Sequence, residues 1–139
     1  MKLSLIAIIA FCGLTLCVDA SDQSKFTCRD WSNLPKEQKQ PIIQAFIDQA
    51  KSDNVVLKLS AEYYVRELDA LIKTYAETKN DGALNASLGI TIHTIAAMEG
   101  DWNNGENKLE HAKKFMGADN FEAFRKRYPE KYKRLLKEK

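Results

Sequence analysis

The sequence predicts an all-α fold: a small single-domain bundle of about four to five helices that follows a cleaved signal peptide. Three observations carry this. Apolar residues recur at helical spacing in several segments, above all over 84–98. Clusters of Asp, Asn and Gly at 78–82 and 101–105 read as turns between those segments. Outside the central stretch only one run, Val55-Val56-Leu57-Lys58-Leu59, has a strand-like composition.

Residues 1–20 open with Lys2, run apolar from Leu3 to Val18, and end Val18-Asp19-Ala20. The apolar run is short for a membrane span and the small residues suit cleavage after Ala20, so this is the pattern of a secretory signal peptide. A lipoprotein anchored through Cys17 fits less well, because Leu16 is bulky where a small residue is usual. Taking 20 from 139 residues leaves 119, enough for one modest core. The expected location is therefore the periplasm or the exterior. No second long apolar run follows, so no transmembrane segment is expected in the mature chain.

Residues 21–33 are expected to be a flexible lead-in, with Phe26 and Trp31 packing over one end of the bundle. The helical domain is drawn from 34 to 139. Pro35 and Glu37 mark a helix start, but Pro41 requires either a start near Gln40 or a kink. Ile42, Ile43, Phe46, Ile47 and Ala50 then form one apolar stripe. Ser60 caps the next helix, lined by Tyr64, Leu68, Leu71, Ile72 and Tyr75.

The stretch 84–98 is the most apolar outside the first twenty residues. Leu88, Ile92, Ile95 and Met98 step at helical intervals, and Ile90, Ala96 and Ala97 fill much of the remaining circumference. Such a helix has to be enclosed by others. Asn85 is the expected N-cap and Gly100 the left-handed stop. A strand reading stays open over 90–95: Ile90, Thr91 and Ile92 alternate, Gly89 weakens a helix, and 55–59 could pair with them. After the second turn a helix is expected from about Glu106 to Gly117. Asp119 or Asn120 should cap a last element carrying Phe121, Phe124, Tyr128, Tyr132 and Leu135, interrupted at Pro129.

Function is less legible. Cys12 and Cys17 fall in the signal peptide, which leaves Cys28 without an internal disulfide partner. In the lead-in, Cys28 could cross-link two chains, giving a homodimer. No Gly-x-Ser-x-Gly is present, Cys28 is far in sequence from either histidine, and the acid pairs Glu67/Asp69 and Glu99/Asp101 look like solvated surface. No enzyme is expected. The absence of Cys-x-x-Cys-His excludes covalent c-type haem, and no cofactor is expected. Within one helix, His93–Met98 and His111–Met116 lie five apart and cannot chelate. A metal or small-ligand site would need His93 and His111 to converge across the turn at 100–105. Neither acidic loop has the spacing of a calcium site. Asn85-Ala86-Ser87 matches the glycosylation pattern.

Charge is divided unevenly. Residues 21–107 hold nine Lys and Arg against thirteen Asp and Glu, a balance of −4. Residues 108–139 hold eleven against five, or +6. A nucleic-acid partner does not suit so mild a total in an exported chain. The expected partner-binding residues are Arg125, Lys126, Arg127, Tyr128, Lys131, Tyr132 and Arg134, a basic and aromatic surface suited to a protein partner or an anionic surface. The leading expectation is an exported binding protein, for example in an immunity- or inhibitor-like role. The alternative is a small-ligand or metal carrier using His93 and His111.

Overall fold

The computed structural model describes residues 26–137. Residues 1–20, with the expected cleavage site, lie outside the described residues, as do 21–25. The described chain is all-α. It has eight helices: α1 (Cys28–Ser32), α2 (Lys36–Ser52), α3 (Ala61–Glu77), α4 (Asp81–Leu84), α5 (Leu88–Glu99), α6 (Lys108–Met116), α7 (Ala118–Arg127) and α8 (Pro129–Lys137). No named strand occurs among these residues, and two isolated antiparallel bridges join Thr27 to Ser87 and Val56 to Asn103.

The second half of the expected flexible lead-in is instead ordered core. Thr27 and Asp30 form a capping box, each side chain bonding the other's backbone N–H, and this starts α1. Cys28 and Trp31 are 0% exposed. The Trp31 indole N–H donates to Asp69 on α3 (2.9 Å), so the ring is buried without orphaning its donor. Backbone bonds from Cys28 N to Ala86 O (3.1 Å) and from Leu88 N to Phe26 O (2.9 Å) tie the lead-in to the start of α5.

Those bonds also account for two further differences. Asn85 ends α4 and does not cap α5. Ser87 holds the N-cap position of α5 without a side-chain bond, and Phe26 supplies a backbone acceptor there. The strand reading of 90–95 gives way to helix, and 55–59 meets the loop after α5: Val56 N donates to Asn103 O (2.9 Å) and Asn103 Nδ2 to Val56 O (2.8 Å). Helix α2 does not start at Gln40; it begins after Pro35 and runs through Pro41. Ser60 caps α3 through Tyr63 N, and Asn107 caps α6 through Glu110 N. Gly100 closes α5 at φ 68°, as expected. Gly117, at φ 77° and ψ 164°, occupies the N-cap position of α7 in place of Asp119 or Asn120.

Helix α5 is shared by two core clusters. Leu88, Ile92, Ile95 and Ala96 pack with α1, α2, α3 and α4, while Ala97 faces a second cluster with Leu109, Ala112, Phe121, Phe124 and Leu135. Enclosure is incomplete: Ile90 is 60% exposed. The pair Glu99/Asp101 is not solvated surface. Asp101 is 5% exposed and accepts from Lys58 N (2.8 Å), Leu59 N (3.1 Å) and Tyr64 Oη (2.7 Å). A buried carboxylate with three donors is a stable arrangement, because hydrogen bonds replace the water it lost. Burial first, then the hydrogen bond to Asp101, holds the Tyr64 phenol far above its ordinary pKa.

Candidate functional site

The loop between α5 and α6 brings His93 and His111 together. His93 sits midway along α5 and His111 one turn into α6. Their Nε2 atoms are 3.0 Å apart. The ring centres are 5.2 Å apart, little more than that contact plus a ring radius on each side. The imidazoles therefore meet edge to edge, with their Nε2 positions pointing at one another. His93 is sandwiched between two aromatic faces, Trp102 from the loop (3.7 Å between centres, 19° between planes) and Phe115 from α6 (3.7 Å, 25°). Phe115 follows His111 by four residues, so the same face of α6 supplies both.

Glu106 completes the row, its Oε2 lying 3.1 Å from His111 Nδ1. A carboxylate only accepts, so His111 Nδ1 carries the proton. In the neutral pair His111 Nε2 is then the acceptor and His93 Nε2–H the donor. The bond from His111 holds the Glu106 carboxyl below its usual range. Burial, and next the neighbouring His111, push the His93 imidazole down to about 4, so it is neutral at ordinary pH. No group of three or more His, Cys, Asp or Glu side chains able to hold a metal converges among the described residues. The possible donors at this point are the two imidazoles.

The expected basic surface divides in two. Arg125 and Lys126 are exposed and lie 2.7 Å and 3.6 Å from Glu122 on their own helix. Arg127 lies over the Tyr128 ring. Lys131 and Arg134 instead reach back to Glu99, whose side chain is 1% exposed, and Lys131 also meets Glu67 (3.4 Å). Tyr132 packs edge-on against Phe121. These three residues hold α8 on the body, so the candidate contact surface contracts to residues 125–128. Burial, then the charges of Glu99 and Glu67, raise the nearby Tyr63 phenol to about 12.

Beside residues 125–128 runs a groove of about 590 Å³ between α3, α5, α6 and α7. Its lining includes Tyr75, Ile90, Met98, Phe115, Met116 and Phe124, with Arg127 and Tyr128 at one edge. Cys28 lies elsewhere, buried, with Sγ 3.2 Å from Thr91 Oγ1. A thiol with no exposed surface cannot reach a second chain, so the expected intermolecular disulfide does not fit this structure.

Compared with protein-family models, curated proteins and solved structures, the chain matches none.

Sequence reasoning left out Trp102, Phe115, Glu106 and the groove. One signal was available: His111 and Phe115 at i and i+4 on α6 mark a single face that needed something to pack against. Trp102 and Glu106 carried no such signal, since loop residues have no periodicity.

Proposed function

We propose that the chain is an exported binding protein that takes an acidic, amphipathic helical segment of a partner protein into the groove between α3, α5, α6 and α7, and performs no catalysis of its own. The observation that carries this is the groove with Ile90 on its wall, 60% exposed on a helix whose other isoleucines are buried. An exposed apolar side chain in a continuous apolar trough is the usual mark of a protein-recognition surface. Met98 and Met116 on the lining suit it, because their flexible thioethers repack around different side chains.

Charge supports the choice of occupant. Residues 108–139 carry +6, and Arg127 stands at the groove's edge while Lys131 and Arg134 are engaged with Glu99. An amphipathic helix with Glu or Asp on its polar side would lay apolar residues at i, i+3, i+4 and i+7 into the trough and meet Arg127 at its edge. Export is supported by the signal-peptide pattern of residues 1–20. Capture of one exported protein by another, as an immunity or inhibitor protein does, is the concrete form of this reading. Among the described residues no helix is long and apolar enough to cross a membrane.

The test uses two helical peptides with identical Leu stripes, one otherwise rich in Glu and one in Lys. Titration of the acidic peptide is expected to shift the NMR signals of Ile90, Met98, Met116 and Phe124, and Ile90→Asp to abolish the shifts. Equal binding of the Lys peptide would overturn the charge argument, and no binding of either would overturn the groove assignment.

A further inference from the structure

The His93–His111 contact is a near-linear hydrogen bond in which the two Nε2 positions would face each other as donors once the shared proton leaves. The two Nε2 atoms point along one line, 3.0 Å apart. His111 is oriented from behind by Glu106, which fixes the proton on Nδ1 and leaves the Nε2 lone pair facing His93. A carboxylate behind a histidine is the common support of a metal-ligating imidazole, because it sets the tautomer and raises ligand basicity. The His111 side chain is 10% exposed, and Trp102 and Phe115 cover both faces of the His93 ring. Water is thereby kept from the ring faces.

We propose that His93 and His111 form a two-coordinate site for a soft monovalent d10 cation, of the Cu(I) or Ag(I) class, held between their Nε2 atoms in place of the shared proton. Two collinear nitrogen donors suit an ion that accepts linear coordination. They do not suit tetrahedral zinc, which takes four ligands, or calcium, which takes six or more oxygens. No third His, Cys, Asp or Glu joins them among the described residues.

The proton balance is simple. His93 gives up the Nε2 proton and carries one on Nδ1 instead, so both rings stay neutral and the complex gains the single charge of the cation. Metal–imidazole bonds of about 2.0 Å require the nitrogens to separate to about 4 Å. His111 takes up that movement, because its other nitrogen is held by Glu106, an exposed side chain on the connecting loop. Ring and carboxylate can shift outward together.

The probe is Ag(I), added as nitrate to purified protein carrying Cys28→Ser so that no thiol competes. One ion per chain is expected by native mass spectrometry. Both Nε2 resonances should move in nitrogen-15 imidazole spectra, with His111 Nδ1 staying protonated and His93 Nδ1 becoming so. His93→Gln and His111→Gln should each lose the ion, and Glu106→Gln should weaken binding by about tenfold or more. If either histidine variant fails to fold, the imidazole spectra of the parent protein still decide. No retained ion, a retained ion that leaves both Nε2 resonances unmoved, or Zn(II) held as tightly as Ag(I) would each overturn the proposal.

Discussion

His93 shows how one side chain can carry both a constraint and a vulnerability. In the unfolded chain its imidazole takes up a proton near the ordinary value of 6.5; in the fold it resists until about 4. Between those values the unfolded state binds more protons, so stability falls as pH drops from 6.5 to 4 and levels off below. With about 1.4 kcal/mol per pH unit, the ceiling on this loss is about 3 kcal/mol, reduced in practice because the ring is only partly buried. Urea unfolding across that range should show the slope in the parent protein and lose much of it in His93→Gln. Asp101 gives a second test at this scale. Asp101→Ala strands two backbone N–H groups and the Tyr64 hydroxyl, each costing about 1–3 kcal/mol when buried and unpaired. A loss of about 3 kcal/mol or more is expected in denaturant unfolding, and a change below about 0.5 kcal/mol would show that water reaches these donors. Both residues were visible in the sequence, but not their surroundings. His93 stood out as an imidazole in an apolar run, and convergence with His111 across the turn was a stated condition for a site. Asp101 looked like surface because the three donors that bury it come from residues 37 to 43 positions away.

At the scale of elements, α5 should respond to substitution very differently on its two sides. Ile95 is buried at the point where the two core clusters adjoin, and Ile95→Ala should cost about 2–5 kcal/mol. Ile90→Ala should change stability by no more than about 0.5 kcal/mol, since the side chain already meets water. Thermal unfolding of the two variants makes the comparison, and equal losses would mean that the groove wall is core. The longer helices were legible because their apolar residues repeat at helical spacing, as with Ile42, Ile43, Phe46 and Ala50 on α2 or Tyr64, Leu68 and Ile72 on α3. The four- and five-residue helices α4 and α1 were not, because a single turn is too short to show a period. Pro41 left two readings open, and the helix continues through it. A proline removes one helical hydrogen bond, and the buried stripe that follows outweighs that local cost.

Across the whole molecule, the negative body and positive tail divide into an internal contact and an open rim. Glu99, buried at the end of α5, is met by Lys131 and Arg134 of α8, and this contact fastens the second core cluster over the first. Replacing both cations with Met should leave Glu99 buried without a countercharge, at a cost of about 3–5 kcal/mol in urea unfolding, and adding Glu99→Met should restore much of it. The all-α class was open to reading from hydropathy, and the division of charge between body and tail from composition. The separation of Arg127, at the groove's edge, from Lys131 and Arg134, bound to Glu99, was not, since it depends on which acids α8 meets. The central claim is that the groove beside Arg127 receives an acidic partner segment. The most direct measurement places a photo-crosslinking residue at position 90 and, as a control, at exposed position 56, and irradiates cells exporting the protein. A discrete adduct is expected at 90 and not at 56, cross-linked through an acidic amphipathic segment and lost in Arg127→Glu. Equal adducts at both positions, or an adduct at 90 indifferent to Arg127→Glu, would contradict it.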